Sequence, residues 1–228
     1  LFDINTGLPQ AILVDEANLT DLRTGIAGAI ASQTLANSDL EVATIIGSGV
    51  QARYQARCHV DLMSLNSLMI WARDHKKAEV LMDDLADLNI TIKIRNDLEA
   101  LVKESQLIIT ATSAKTPIIK SDWVQPGTHI TAVGSDTPEK CELDPKLLAK
   151  ASIVVADSIS QNKLRGEIYQ ALKENCLSAE DLIELGEVLE GTKLGRTGPN
   201  QITVADLTGV AIQDLVIAEA VYRAKISN

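Results

Sequence analysis

Aromatic side chains are scarce in this sequence, with one Phe, two Trp and three Tyr among 228 residues. Ring stacking therefore contributes little, and Leu, Ile, Val and Ala must fill any core. Hydrophobic residues still make up 46% of the chain, which excludes a disordered or fibrous protein. A chain of this length buries a substantial core as one large domain or two small ones. Cysteine is sparse too. Cys58, Cys141 and Cys176 are odd in number and far apart, with no C-x-x-C pair. That excludes a disulfide framework and a zinc site, and it fits reduced thiols in a cytoplasmic protein. No apolar run is long enough to span a bilayer, and no basic-then-apolar leader is visible. Positive charge is also short: 21 Lys and Arg against 31 Asp and Glu give a formal net charge of −10. Such a surface repels phosphate backbones and anionic membranes, so neither nucleic acid nor a membrane is an expected partner. The first residue is Leu rather than Met and stands in a strand-like phrase, so an upstream segment is expected to be missing.

What is present is a strong alternation of element types. LFDINTGLPQAILV reads as a hairpin about Thr6-Gly7. From Thr20 to about Ala36 the spacing predicts a helix, with Thr20 as cap and Leu22, Ile26, Ala29 and Ile30 on one face. The Ala-Gly-Ala spacing on that helix points to close packing. From Glu41 onward, VATIIG, SLMIWA, TIKIR, QLIITAT, THITAVG and SIVVAD are apolar runs, the earlier ones separated by helix-length segments. Strands of that kind are covered on both faces, and the alternation predicts an α/β fold with a doubly wound parallel sheet. After Asp157 the chain reads as helical through EIYQALKE and SAEDLIELGEVLEG. The Gly-rich GTKLGRTGPN, the strand-like QITVAD and an amphipathic C-terminal helix follow.

The first strand runs into Gly47-Ser48-Gly49 and a helix beginning Val50-Gln51-Ala52. In a dinucleotide-binding unit the first glycine permits a tight turn and the second lets a pyrophosphate approach the main chain. A small third residue lets helix and strand pack closely. The helix N-terminus then offers unpaired N–H groups and a partial positive charge to the phosphates. Glycine turns without a ligand are common, but strand, glycines, helix and second strand all stand in order here.

The second strand ends Trp71-Ala72-Arg73-Asp74. Ala72 stands where NAD-specific sheets carry an acid for the adenine ribose, and Arg73 suits a 2′-phosphate. The expected cofactor is NAD(P)(H), leaning to NADP(H). Asp74 keeps NAD(H) open, and a solvated Arg73–Asp74 pair is the alternative to both.

The phrases LTDLRTG, GSGVQAR, TATSAKTPII, AVGSDTPEKCELDP, ADSISQNKLRGEI and DLTGVAIQD resemble, in order and over essentially the whole chain, the ornithine cyclodeaminase/μ-crystallin family. WARD, ELGEVLEG and VADLTGVAIQD look closest to its ectoine-utilisation, cyclodeaminase-like branch. The resemblance implies a homodimer in which a Rossmann domain is joined to a smaller substrate/dimerisation domain made from both chain ends. Here that division is expected at 1–38, 39–206 and 207–228. It implies NAD(P)(H)-dependent chemistry at the C–N bond of a small amino or imino acid: imino-acid reduction first, cyclodeamination second. Carried over by position, Arg23 binds the substrate carboxylate, a task suited to a guanidinium fork. Asp136 is the catalytic aspartate and lies past a strand end, where open α/β sheets place ligands. Thr112, Ser113, Val133 and Gly134 run along the dinucleotide. Thr208 and Gly209 lie near nicotinamide and substrate.

Each assignment has a plain alternative. The alternative for Arg23 is a surface arginine, for Asp136 a turn aspartate before Thr-Pro, for Thr112 and Ser113 strand-end hydroxyls, and for Thr208 or Asp206 a helix cap. His59, His75 and His129 lack partners at metal-ligand spacing and read as structural or exposed. Cys58 and Cys141 read as inert thiols. Glu167 belongs to a family-like phrase without an evident role. The family pocket also takes an arginine and a lysine from a segment upstream of LFDINTG, which this sequence does not contain. From that departure comes the second functional class: a μ-crystallin-like protein that binds nucleotide and a small ligand with little turnover.

Overall fold

The run Val42–Ile46 is buried in four of its five residues. Ile45 and Ile46 are fully enclosed, each contributing ~2 kcal/mol by leaving water. Around it the computed structural model, which describes residues 1–226, builds one sheet. In chain order the elements are α1 (Asn18–Leu35), β1 (Val42–Ile46), α2 (Val50–Met63), β2 (Ser67–Trp71), α3 (His75–Asp84), β3 (Thr91–Ile94), α4 (Leu98–Glu104), β4 (Leu107–Thr110) and β5 (His129–Ala132). They continue with α5 (Pro145–Lys150), β6 (Ile153–Ala156), α6 (Ile159–Asn162), α7 (Glu167–Lys173), β7 (Ile183–Glu184), α8 (Leu185–Leu189), β8 (Thr203–Asp206) and α9 (Ala211–Ile226). Ser227 and Asn228, which end the expected 207–228 segment, lie outside the described residues.

The strands lie in the order β3-β2-β1-β4-β5-β8-β6-β7, every pair parallel. The chain winds outward from β1 to β3, then returns to lay β4 on the other side of β1. That reversal opens a crevice between the carboxyl ends of β1 and β4, the place where such sheets bind ligands. The α/β, doubly wound parallel sheet is thus as the alternation predicts. β8 inserts between β5 and β6, which no local pattern announces.

The first helix differs in detail from its sequence reading. It starts at Asn18, two residues before Thr20, and the Asp15 carboxylate accepts the Leu19 N–H at 2.6 Å. Thr20 lies inside the helix, its carbonyl accepting the Thr24 hydroxyl. The buried face is Gly25, Gly28, Ala29, Ser32 and Leu35, while Leu22 and Ile26 are exposed. Small residues are inside because α2 comes so close. A Cβ on Gly25 would stand 2.9 Å from Cys58 Sγ and from the Tyr54 carbonyl, and one on Gly28 would overlap the Gln55 side chain. α1 also packs on β5, β8 and α9. The SAEDLIELGEVLEG stretch is a 3-10 turn, the short strand β7 and the short helix α8 rather than one helix. The N-terminal phrase forms a single antiparallel bridge, Phe2 to Pro9, not a ladder.

A buried polar chain ties these layers together. Ser32 Oγ contacts His59 Nε2 at 2.8 Å and Thr131 Oγ1 at 2.7 Å. His129 bridges Thr131 and Thr203, and Arg196 reaches Thr203 and the Leu35 carbonyl. Burial holds His59 down to about 4 and His129 down to about 3, so both rings are neutral and structural. His75 is exposed and pairs with Glu79.

Candidate active site

Gly47 leaves β1 with φ +133, and its N–H donates to the Trp71 carbonyl at 2.9 Å. A Cβ there would also strike the Ala111 carbonyl, so both conformation and space require glycine. Gly49 is the N-cap of α2. No side chain caps that N-terminus, and nothing lies within 4 Å of where a Gly49 Cβ would be. Ala52 is fully buried against the sheet. The loop therefore presents bare main chain, with Ser48, Gly49 and Val50 partly or fully open to solvent. Gln51 turns its amide to Asp21 at 2.8 Å and ties α2 to α1, leaving only its main chain for a ligand. This cradle fits the pyrophosphate of a dinucleotide.

At the end of β2, Ala72 is half-buried and Arg73 exposed. Arg73 carries no ion pair among the described residues, to Asp74 or otherwise. Asp74 caps α3 by accepting the Lys76 N–H at 3.1 Å, so its carboxylate already has a structural task.

Thr112, one residue beyond Ala111 at the end of β4, places its hydroxyl on the Ala114 N–H. Ser113 is exposed. Val133 and Gly134 leave β5, and Asp136 follows in an exposed loop with its Oδ1 held by Lys140 Nζ at 2.5 Å. Arg23, on α1, is largely buried. Its Nε donates to Asp214 at 2.9 Å and its Nη1 to Gln213 at 3.0 Å, both on α9. Its guanidinium lies against Gly209, 2.9 Å from where a Cβ would stand. Asp157 at the end of β6 accepts the Gly209 N–H at 2.7 Å and the Thr208 hydroxyl at 3.3 Å. Thr208 is therefore no helix cap. The structure thus forms two groups at the carboxyl edge of the sheet: Gly47 with Ala111 and Thr112, and Arg23 with Thr208 and Gly209.

Sequence reasoning passed over Glu142, gave Glu167 no role and read Asp206 as a helix cap; all three lie buried beneath these loops. Glu142 is completely buried and accepts the Thr110 hydroxyl (2.7 Å), the Thr112 N–H (2.6 Å) and the Gly134 N–H (3.0 Å). Glu167 accepts the Ser135 hydroxyl and the N–H groups of Glu142 (2.8 Å) and Leu143 (3.0 Å). Asp206 accepts the Ile168 N–H at 2.8 Å, so it does act as a cap, for α7 across the sheet edge rather than for α9. Burial pushes Glu142 up to about 7, and the charge of Glu167 adds to that; burial also raises Glu167 and Asp157 and holds Asp206 well above the carboxylate range. These acids stand apart in the sequence, with Lys140 close before Glu142 and Arg165 close before Glu167, and some of the groups they accept from lie 38 to 52 residues away, so no local signal marks them. Burial likewise pushes the Cys58 thiol up to about 11 and Cys141 up to about 12, as befits inert thiols.

Surface concavities of about 530 and 650 Å³ lie at the opposite, amino edge of the sheet, near Asn37 and Arg196 and near Ser152 and Cys176. Parallel sheets do not place their ligands there. Among the described residues no helix is long and apolar enough to cross a membrane, and no cluster of metal-ligating side chains occurs.

The chain is similar to an uncharacterized cyclodeaminase of Sinorhizobium fredii, 41% identical over 98% of this chain and 68% of that protein. Among solved structures it resembles an archaeal alanine dehydrogenase dimer with bound NAD, at TM-score 0.91 and 34% identity, covering 99% of this chain and 70% of that one. It also resembles the Thermococcus litoralis Δ1-pyrroline-2-carboxylate reductase in complex with NADH and L-proline, at TM-score 0.92 and 30% identity, with the same coverage. Residues 1–228 match the family described as ornithine cyclodeaminase/mu-crystallin, and the chain belongs to that family.

Proposed function

We propose that this protein is an NAD(P)(H)-dependent oxidoreductase acting on the C–N bond of a small amino or cyclic imino acid, with imino-acid reduction as its first reaction and cyclodeamination its second. The observation that carries it is the uncapped N-terminus of α2 under an open Gly49, set at the switch between β1 and β4. That two solved relatives hold NAD or NADH, one of them beside an amino acid, supports the same reading.

Gly47, Ser48, Gly49, Val50 and Gln51 would hold the pyrophosphate through their main chain, with Thr112, Ser113, Val133 and Gly134 along the dinucleotide. A bound nicotinamide supplies hydride exchange with the substrate α-carbon. Arg23 takes the substrate carboxylate: Asp214 and Gln213 occupy Nε and Nη1, which fixes the guanidinium plane and leaves Nη2 for the ligand. Thr208 and Gly209, braced by Asp157, line the same group. Asp136 handles the proton at the reacting nitrogen or water with Oδ2, while Lys140 retains Oδ1. Ala72, Asp74 bound to its helix and the unpaired Arg73 together support a preference for NADP(H).

The ends, 1–38 and 207–228, are assigned to the substrate/dimerisation part. Phe2, Ile4, Ile12 and Val14 of the N-terminal arm and Ile212 and Val216 of α9 expose apolar surface, as expected of a face covered in a homodimer. Light scattering on the eluted protein tests that assembly.

Following NADPH and NADH oxidation against pyrroline-2-carboxylate and piperideine-2-carboxylate tests the activity. Turnover with either imine is expected, and Arg23→Met should raise KM on the order of a hundredfold, the cost of a charged hydrogen bond. Arg73→Ala should weaken NADPH binding about tenfold while leaving NADH unchanged. Coenzyme binding without turnover on any imine or amino acid would leave the nucleotide-binding, non-catalytic alternative.

A further inference from the structure

The main-chain ladder between β4 and β5 ends at the Val133 N–H, which donates to the Thr110 carbonyl at 3.0 Å. Beyond it the strand ends diverge, and one side chain replaces the ladder. The Thr112 N–H lies on Glu142 Oε1 and the Gly134 N–H on Oε2. Gly134 has no room for a Cβ because this carboxylate and the Thr112 carbonyl occupy it. Pinning the Thr112 N–H sets the whole 111–112 peptide plane. Its other pole is the Ala111 carbonyl, which occupies the space a Gly47 Cβ would need. On the β5 side the same carboxylate fixes Gly134, two residues before Asp136, and Glu167 fixes both Ser135 and the Glu142 main chain.

We propose that Glu142 is a positioning residue for the dinucleotide cleft, holding the Thr112 and Gly134 strand ends, and through Ala111 the Gly47 turn, in the spacing that a coenzyme requires. This assignment rests on the dinucleotide reading above. A glutamate is needed because three donors converge on two acceptor oxygens; an amide offers one acceptor and turns an N–H towards an N–H. Its removal from the ligand explains why it is buried, not exposed to the cleft.

Fluorescence titration with NADH and NADPH tests this on the wild-type protein, Glu142→Gln, Glu142→Asp and a packing control, Ser105→Ala. Ser105 is buried near the amino edge of the sheet, bonded to Thr44 and the Leu101 carbonyl at 2.6 Å each. The Gln variant should raise Kd roughly tenfold, since displacement of positioning groups by fractions of an ångström carries factors of that order. The Asp variant, which keeps both oxygens drawn back by one methylene, should fall between Gln and wild type. Ser105→Ala should lower the melting temperature and leave Kd alone. A Kd within twofold of wild type in folded Glu142→Gln, or in Glu142→Asp should the Gln variant not fold, overturns the assignment and leaves the coenzyme reading intact. Wild-type protein that binds neither coenzyme overturns both.

Discussion

The two halves of the sheet's carboxyl edge are built by opposite means. At β1–β2 the edge is bare main chain: a glycine turn, an uncapped helix and no buried charge. At β4–β5–β8–β6 it rests on Glu142, Glu167, Asp206 and Asp157, and the main-chain N–H groups there are already taken by carboxylates. An N–H meant for a ligand's phosphate must be left unpaired and the chain around it kept small. An N–H in a loop that carries reacting side chains is better paired internally, because a displaced loop misplaces those groups. Free donors mark the half that binds; satisfied donors mark the half that positions.

Substitutions at the two glycines of the first half should break this contrast most sharply. Gly47→Ala combines a positive φ with a clash on the Ala111 carbonyl, so it should cost about 3 kcal/mol in urea unfolding and abolish coenzyme binding. Next in size is a pH effect confined to the second half. Glu142 is raised from an ordinary 4.5 to about 7, so the folded state binds its proton more tightly than the unfolded one. Its contribution to stability is fully present below pH 4.5 and is lost as pH rises through 7. The stability of wild type relative to Glu142→Gln should therefore fall by roughly 3 kcal/mol across that window. The neutral histidines act with the opposite sign: lowered to about 4 and 3, His59 and His129 stabilise fully above pH 6.5 and less as pH falls. They are common to both proteins, so the difference between the two unfolding curves isolates the carboxylate. Smallest in stability is Gly49→Ala. With φ −85 and open space above it, the variant should melt within a degree or two of wild type, yet bind coenzyme about tenfold more weakly, because the added methyl stands where the phosphates approach. Lost stability at Gly49, or retained coenzyme affinity in either glycine variant, would erase the distinction between a binding half and a positioning half.

Much of the first half is legible residue by residue. VATIIGSGVQA names strand, turn and helix because each step restricts residue type locally: apolar for a strand covered twice, glycine for the turn, alanine for the packed helix. The small residues of α1 are legible for the same reason, although Leu22 and Ile26 mislead, since an apolar side chain in a helical repeat does not say which face is inside. The second half is opaque. Glu142 and Glu167 look like any solvated acids until β4, β5 and α7 converge on them, and Asp157 looks like a strand terminator until Gly209 arrives 52 residues later. Likewise the hydroxyl of Thr208 was a reasonable cap by sequence and instead serves Asp157.

By itself the order of residues determined the parallel α/β architecture and the glycine turn, because backbone sterics and side-chain periodicity act between near neighbours. Only the tertiary structure decided that β8 slides between β5 and β6, that Asp214 turns the Arg23 guanidinium, and that four acids lie under the cleft loops. Those outcomes depend on which distant groups share a space from which water is excluded, and a buried charge declares its role only by the donors that the fold brings to it.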